Sequence, residues 1–314
     1  MSASTPVKIA AIDIGTNSVL LVIAEPSGAG LEPLVERARI TRLGEGVDRT
    51  RRLAPAAIER TLECLRSYAL ELRAHGVERL DVVGTSALRD ASGAEDFLRE
   101  AERILGVPPR VIAGDEEAAL TFRGTLSGLR VSGTLLVYDI GGGSTELIVG
   151  DASEQAPRNR VSLDIGSVRL FERHVKSDPP APQELAAIEA DITLALASAG
   201  PLAGLRGRSD ITLVGVAGTV TTLKALELGL APYDGAKVHG AALTLSGVEQ
   251  WCAKLASLPL AQRKELAGLE PKRADVIVAG ALIVRELLRS ANAIQSLVSD
   301  RGVRFGLLER LIAA

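Results

Sequence analysis

Aromatic side chains are scarce: Phe, Trp and Tyr together make up 3% of the 314 residues. A chain so poor in rings offers no stacking platform for single-stranded nucleic acid. Its core has to be built from Val, Ile, Leu and Ala, which suits parallel or mixed sheets covered by helices. Cysteine is scarcer still. Cys64 and Cys252 stand far apart with no C-x-x-C pair, which excludes a disulfide framework and a structural zinc site and leaves two buried thiols. An excess of either charge is also missing. Thirty-six Lys+Arg against 39 Asp+Glu give −3, so no general basic field attracts nucleic acid or an anionic membrane. No apolar run reaches membrane-spanning length, and residues 1–8 lack the apolar stretch of a signal peptide; a cytoplasmic protein is expected. His75, His174 and His239 show no metal-ligand spacing, and nothing supports a Ser–His–Asp triad.

What is present begins with a large apolar fraction, 46%, beside 24% charged residues, so a globular core is available. At about 150 residues per domain, the length suggests two domains. An internal repeat says what kind. Residues 9–24 read IAAIDIGTNSVLLVIA and residues 135–150 read LLVYDIGGGSTELIVG, with Asp13 aligned on Asp139, Ser18 on Ser144 and Leu21 on Leu147. Each copy is an apolar run, a D-I-G-x-x-S turn and a second apolar run, which predicts a hairpin of buried strands. Two domains of similar fold, each opening on this hairpin, account for the spacing. A thinning of the pattern around Gly124, Ser127, Gly128 and Ser132 places the boundary so that the domains are 1–125 and 126–314. Between these landmarks strands and helices alternate. A helix opens at Pro55 with Ile58, Leu62, Leu65, Ala69 and Leu72 on one face, and others are expected near 94–105, 182–199 and 274–289.

The turns carry the chemistry. In DIGGGST (139–145) a carboxylate at a strand end, Asp139, is followed by Gly141, Gly142, Gly143, Ser144 and Thr145. Glycines let backbone N–H groups converge on an anion, hydroxyls add donors, and the adjacent carboxylate can hold Mg²⁺. No G-K-[ST] follows, so this is not a Walker loop. DIGTNS (13–18) is its partner, with Asp13, Gly15, Thr16, Asn17 and Ser18. A third candidate is AGTVTTL (217–223), where Gly218 and Thr219 lie between a strand and a helix. Arg89, beyond a strand in GTSALRDA, can grip a phosphate bidentately or pair with Asp90, Glu95 or Asp96. GDEEA (114–118) crowds three carboxylates; crowding raises pKa values and equips one as a base, while an acidic helix start is the alternative. The local residues do not choose between these. Basic residues able to lead a polyanion inward include Arg37, Arg39, Arg42, Arg49, Arg51, Arg52, Lys272, Arg273, Arg301 and Arg304, each of which alone reads as a solvated surface group.

Taken in order, IDIGTNSVLLVIAE, GTSALRDA, AGDEEA, DIGGGSTELIVG, LDIGSVRLFERH, AGTVTTLKAL, KVHGAALTL, GLEPKRADVIVAGALI and VSDRGVRFGLL resemble the exopolyphosphatase/guanosine pentaphosphate phosphohydrolase (Ppx/GppA) family from about residue 8 to 308. The resemblance implies an α/β protein of two ribonuclease-H-like domains, of the actin, sugar kinase and heat-shock chaperone superfamily, with the active cleft between them. It implies Mg²⁺-dependent hydrolytic release of terminal phosphate from inorganic polyphosphate, from guanosine pentaphosphate, or from both. By the same resemblance Glu117 is the base that activates water, Arg89 a phosphate ligand, and Asp139 and Glu146 the metal residues. Asp13 to Ser18, Gly141 to Thr145, and Gly218 with Thr219 are the phosphate loops. Ala113-Gly114-Asp115 departs from the family's usual Ser-Gly-Glu or Ser-Gly-Asn before the Glu pair. The length fits the short two-domain form, for which short chains are the expected polymer, and a homodimer is expected by analogy. No nucleic-acid or membrane partner is expected. Rival readings are a kinase of the same superfamily, a non-catalytic phosphate sensor and an actin-like assembly protein. GDEEA favours water activation over the kinase, Glu117, Asp139 and Glu146 together count against a pure binder, and the length leaves little room for polymerising subdomains.

Overall fold

The computed structural model describes residues 7–27, 30–154, 156–200, 208 and 210–313, without the side chain of residue 48. The chain divides into two compact units, Met1–Gly124 with Val303–Ala314, and Thr125–Gly302.

The first unit is built on β1 (Ile9–Ile14), β2 (Ser18–Ser27), β3 (Gly30–Ile40), β4 (Arg79–Gly84) and β5 (Arg110–Val111), in the order β3-β2-β1-β4-β5. The first three strands are antiparallel neighbours and β4 and β5 run parallel to β1, the ribonuclease-H-like arrangement. Strand β1 is central and apolar on both faces, and the period of two divides its residues between two cores. Ala10, Ile12 and Ile14 pack with α2 (Pro55–Ala74) and α4 (Glu95–Leu105). Ile9 and Ala11 pack on the other face with Leu120 of α5 (Gly114–Leu126). The predicted stripe on α2 is buried at Leu62, Leu65, Ala69 and Leu72, and proline stands in its first turn. Two short helices, α1 (Val47–Thr50) and α3 (Ser86–Asp90), follow β3 and β4.

The second unit repeats the plan. Strands β6 (Thr134–Ile140), β7 (Thr145–Asp151), β8 (Ala156–Leu163), β9 (Ile211–Val216), β10 (Ala242–Thr244) and β11 (Gln295–Val298) are ordered β10-β11-β9-β6-β7-β8. Thus β8-β7-β6-β9-β11 reproduces β3-β2-β1-β4-β5, and β10 is an added edge strand, antiparallel to β11. The helices are α6 (Ser167–His174), α7 (Pro182–Ala197), α8 (Ala217–Leu228), α9 (Gly235–Val238), α10 (Leu245–Ser257), α11 (Leu260–Arg263) and α12 (Ile277–Ser290). As the composition requires, the core beneath them is aliphatic, with every position of α12 from Ile277 to Leu288 buried except Arg285 and Glu286.

The last helix, α13 (Val303–Ala313), differs from the sequence-based division, which grouped it with residues 126–302. It packs on β1 and β2 of the first unit. Val303, Phe305, Leu307 and Leu308 are buried among Ile9, Ala11, Val22 and Ala24. The reason is an unfilled face: α5 alone cannot cover the Ile9/Ala11 side of the sheet, and each apolar side chain of α13 buried there contributes about 1.5–3 kcal/mol. Arg304 donates to Glu36 at 2.6 Å, and Arg310 donates to Asp81 at 2.5 Å and to Glu116 at 2.7 Å.

Candidate functional site

Both members of the repeat form the predicted hairpins, and their turns close alike. Gly15 N–H donates to Ser18 O at 3.0 Å, and Gly141 N–H donates to Ser144 O at 3.0 Å. In each, the carbonyls are then tied down by a neighbouring segment. Gly44 N–H donates to Thr16 O, and the Thr41 and Arg42 N–H groups both donate to Asn17 O. In the second unit Ser167 N–H donates to Gly141 O, and those of Val168 and Arg169 to Gly142 O; Arg169 Nε takes Gly143 O at 2.6 Å. With the carbonyls engaged, the amides of Thr16 and Asn17 and of Gly142, Gly143 and Ser144 donate to no acceptor among the described residues. Such an array of unengaged N–H groups is an anion cradle. The side chains add to it: Thr16 Oγ1 lies 2.7 Å from Ser86 Oγ, and Asn17, only 8% exposed, has an Oδ1 without a partner. Thr145, by contrast, is spent on structure, its hydroxyl donating to Ile165 O at 2.5 Å.

Gly166 is the residue that allows this approach in the second unit. A Cβ there would lie 2.3 Å from Gly142 O and 2.5 Å from Gly143 C, so only glycine fits against the turn. The sequence motif LDIGSVR gave no local reason to single it out.

Around the first turn the structure brings together three residues far apart in the chain. Arg89 on α3 donates through Nη1 to Ile112 O at 2.9 Å and to Glu117 Oε2 at 2.5 Å. Its partner is therefore Glu117, and neither Asp90, Glu95 nor Asp96. The Glu117 side chain is 16% exposed, enough for one water-facing edge. Asp13, at the end of β1, has its Oδ1 sealed from solvent with no hydrogen-bond partner. Burial pushes its carboxyl from 3.8 up to about 7, with the charge of Glu117 adding to the rise and Arg304 opposing it. A group so placed is relieved by a proton or by a cation.

The three carboxylates of GDEEA part company. They open α5, as an acidic first turn does, yet Glu116 turns to Arg110 at 3.0 Å and Arg310 at 2.7 Å. Burial raises its pKa, but the two arginines outweigh that and hold it below the usual range, opposite to the direction expected from crowding. Glu117 is the member whose charge acts on Asp13.

In the second unit Asp139 and Glu146 are register partners across β6 and β7. Glu146 Oε1 accepts from Ser144 Oγ at 2.7 Å and Ser162 Oγ at 2.8 Å. Among the described residues no three His, Cys, Asp or Glu side chains cluster as a metal cage. Mg²⁺ does not need one, since it is held by one or two carboxylates with waters and substrate phosphates. The unpartnered Asp13 oxygen and the Asp139/Glu146 pair fit that habit.

The third predicted turn is the first turn of α8. Thr219 is 4% exposed and its hydroxyl donates to Ile140 O at 3.4 Å, so that donor is already engaged. Gly218 is different: a Cβ there would lie 2.1 Å from Arg273 Nη1. Arg273, grouped by sequence with surface arginines, thus lies against the candidate turn, a contact that a separation of 55 positions hides. Among the described residues no helix is long and apolar enough to cross a membrane.

Comparison with known proteins gives the family. The model of the Ppx/GppA phosphatase family matches residues 21–313. Exopolyphosphatase 2 of Mycobacterium tuberculosis is 41% identical over 296 residues, which cover 90% of each chain. The guanosine-5'-triphosphate,3'-diphosphate pyrophosphatase of Aeromonas salmonicida is 33% identical over 308 residues, covering 96% of this chain and 59% of that protein. The crystal structure of the Aquifex aeolicus Ppx/GppA family member superposes with a TM-score of 0.81 at 35% identity, covering 98% of both chains. The matched span takes in Arg89, Glu117 and the glycine turn of the second unit, and the chain belongs to the Ppx/GppA phosphatase family.

Proposed function

We propose that this phosphoanhydride hydrolase releases terminal phosphate from inorganic polyphosphate, short chains foremost, or from guanosine pentaphosphate, with Mg²⁺ and with water activated by Glu117. The relatives named exopolyphosphatase and guanosine-5'-triphosphate,3'-diphosphate pyrophosphatase support both substrates. The observation that carries the reading is the Asp13–Glu117 pair: two carboxylates close enough for one to raise the other, one with an orphaned oxygen, beside a turn of unengaged amides.

The roles follow from what each group can donate or accept. The amides of Thr16 and Asn17, and those of Gly142, Gly143 and Ser144, take phosphate oxygens. Arg89 steadies Glu117 through Nη1, and its Nε and Nη2 remain to donate to a phosphoryl oxygen. Glu117 accepts the proton of a water aligned for in-line attack, and no protein nucleophile is needed. In the first unit Asp13, and in the second Asp139 with Glu146, are the groups that would hold Mg²⁺, which when bound neutralises charge on the phosphate oxygens. Gly218 and Thr219 shape the approach of Arg273.

Phosphate release is to be measured from tripolyphosphate, longer polyphosphate and guanosine pentaphosphate, each with and without Mg²⁺. Release from at least one, abolished by chelation, is expected; none from any would sink the reading. Glu117→Gln should lower kcat by about 10²–10⁴ while KM stays near wild type. Wild-type turnover in that variant would remove Glu117 from the role.

A further inference from the structure

Beyond the turn of the first unit lies a short segment that the hydrolytic reading does not use. Residues 42–52 carry Arg42, Arg49, Arg51 and Arg52 against Glu45 and Asp48, in a chain whose net charge is −3. Glu45 is already engaged by Arg60 of α2 at 2.6 Å. Arg49, Arg51 and Arg52 are exposed, and none of their guanidinium groups has a partner among the described residues. Unpaired arginines within four positions repel one another, and most surface arginines in this protein do find a carboxylate, as Arg66, Arg99, Arg103, Arg158 and Arg289 show.

The segment is held rather than loose. Thr50 Oγ1 donates to Gly46 O at 2.9 Å and Arg52 O at 3.1 Å. Ser92 donates to Arg51 O from its N–H at 2.9 Å and from its hydroxyl at 3.0 Å, and Arg52 and Ser92 form a parallel bridge. Both anchors lead to the candidate site. On one side, residues 41–44 bond the carbonyls of Thr16 and Asn17, and Gly44 packs so tightly that a Cβ would lie 2.4 Å from Thr16 Cγ2. On the other, Ser92 stands three residues beyond Arg89. Three residues span at most about 11 Å, so the arginine segment borders the place where the first turn and Arg89 would hold a phosphate.

Its backbone also carries a signature. Arg51 adopts φ 54° and ψ 28°, a left-handed conformation that glycine reaches freely and a side-chain-bearing residue reaches only at a cost. Arginine occupies a position where glycine would suit the fold better.

From these observations we infer that Arg49, Arg51 and Arg52 form a distal phosphate subsite that grips the part of a linear polyphosphate beyond the phosphate being cleaved. The inference rests on the hydrolytic reading and sharpens its substrate class. A linear chain with a charge on every phosphate can reach the arginines and the turn at once; tripolyphosphate has only two phosphates beyond the one cleaved, and guanosine pentaphosphate presents a nucleoside where the next phosphates would be. The contact is electrostatic and exposed, so it is sensitive to salt.

The test compares the wild-type chain with Arg49→Gln/Arg51→Gln/Arg52→Gln on tripolyphosphate, longer polyphosphate and guanosine pentaphosphate across a salt series. For longer polyphosphate we expect KM to rise about tenfold or more at unchanged kcat, and the slope of log KM against log salt to fall by about three, one for each arginine. Kinetics on tripolyphosphate and guanosine pentaphosphate should not move. Unchanged KM and salt slope on longer polyphosphate overturn the subsite, as does an equal loss on all three substrates. Arg51→Gly supplies a control for folding: its Tm should not fall, yet its KM for longer polyphosphate should rise. A lowered Tm with an unchanged KM would make the position structural. If the wild-type chain released phosphate from no substrate, the hydrolytic reading itself would fail, a result separate from failure of the subsite.

Discussion

At the scale of single residues, Asp13 is where burial and function pull in opposite directions. Its carboxyl is raised from 3.8 to about 7 chiefly by burial, so between those values the folded chain holds a proton that the unfolded chain has released. Stability from this group therefore falls as pH rises through that window; the penalty is absent below 3.8 and complete above about 7. Its upper limit is about 4 kcal/mol from 1.4 kcal/mol per unit. In metal-free buffer Asp13→Asn should melt several degrees above wild type at pH 8, with the gap closing as pH falls toward 4. Mg²⁺ should raise the Tm of the wild type more than that of Asp13→Asn, while phosphate release by the variant drops. A pH-independent Tm difference would dissociate the orphaned oxygen from the titration. Arg89 gives a second case. The sequence offered Asp90, Glu95 and Asp96 as its partners because they are near in the chain; Glu117, 28 positions on, becomes a neighbour only when α3 and α5 meet beside β4 and β5. Both bonds leave from Nη1, so a lysine Nζ could make them, but it lacks the Nε and Nη2 donors that the guanidinium keeps for a phosphoryl oxygen. Arg89→Lys should therefore cost about 10–100-fold in kcat/KM without a comparable loss of Tm, as phosphate release and thermal melting would report.

At the scale of elements, the hairpins were legible because their signal is local: a strand of alternating or continuous apolar residues, a glycine turn and a second strand all lie within sixteen residues. What fixes the direction of the turn amides was not legible. In both units a segment distant in sequence, 41–44 or 165–169, binds the turn carbonyls, and nothing in the spelling of LDIGSVR marks it as a brace. The direction of the Thr219 hydroxyl in AGTVTTL was hidden for a related reason. A glycine with hydroxyls after a strand reads as a loop of donors, yet Thr219 turns inward to Ile140 O and packs against Gly280. The brace makes a sharp prediction at Gly166. Unlike Gly218, whose added Cβ would meet the flexible end of Arg273, Gly166 faces backbone atoms that no rotamer can move. Gly166→Ala should push the 165–169 segment off the turn, cost about 1–3 kcal/mol of stability, and lower phosphate release more than the Tm loss explains. Gly218→Ala should leave Tm nearly unchanged. Equal effects of the two substitutions would mean that the carbonyl brace does not set the turn.

At the scale of the whole molecule, the repeat disclosed two related units but not the return of the chain to the first. VRFGLLERLIAA is rich in apolar residues, which says that the segment has a partner without saying which sheet. The answer lies in the first sheet, where Ile9, Ala11, Val22 and Ala24 form an apolar face that needs α13 beside α5. Gly306 is the point of closest approach: a Cβ there would lie 2.2 Å from Leu120 O of α5. Because that obstacle is backbone, Gly306→Ala can be accommodated only by lifting α13, which loosens Phe305 from the core and Arg310 from Asp81 and Glu116. Glu116 neighbours Glu117, so the disturbance should reach the proposed base through α5. The expected outcome is a loss of about 1–3 kcal/mol, with faster amide exchange confined to β1, β2, α5 and α13 while β6, β9 and α12 keep their protection. Hydrogen exchange read by mass spectrometry distinguishes this from general loosening. Exchange rising equally in both units, or a Tm equal to wild type, would show that α13 is not what seals the first unit.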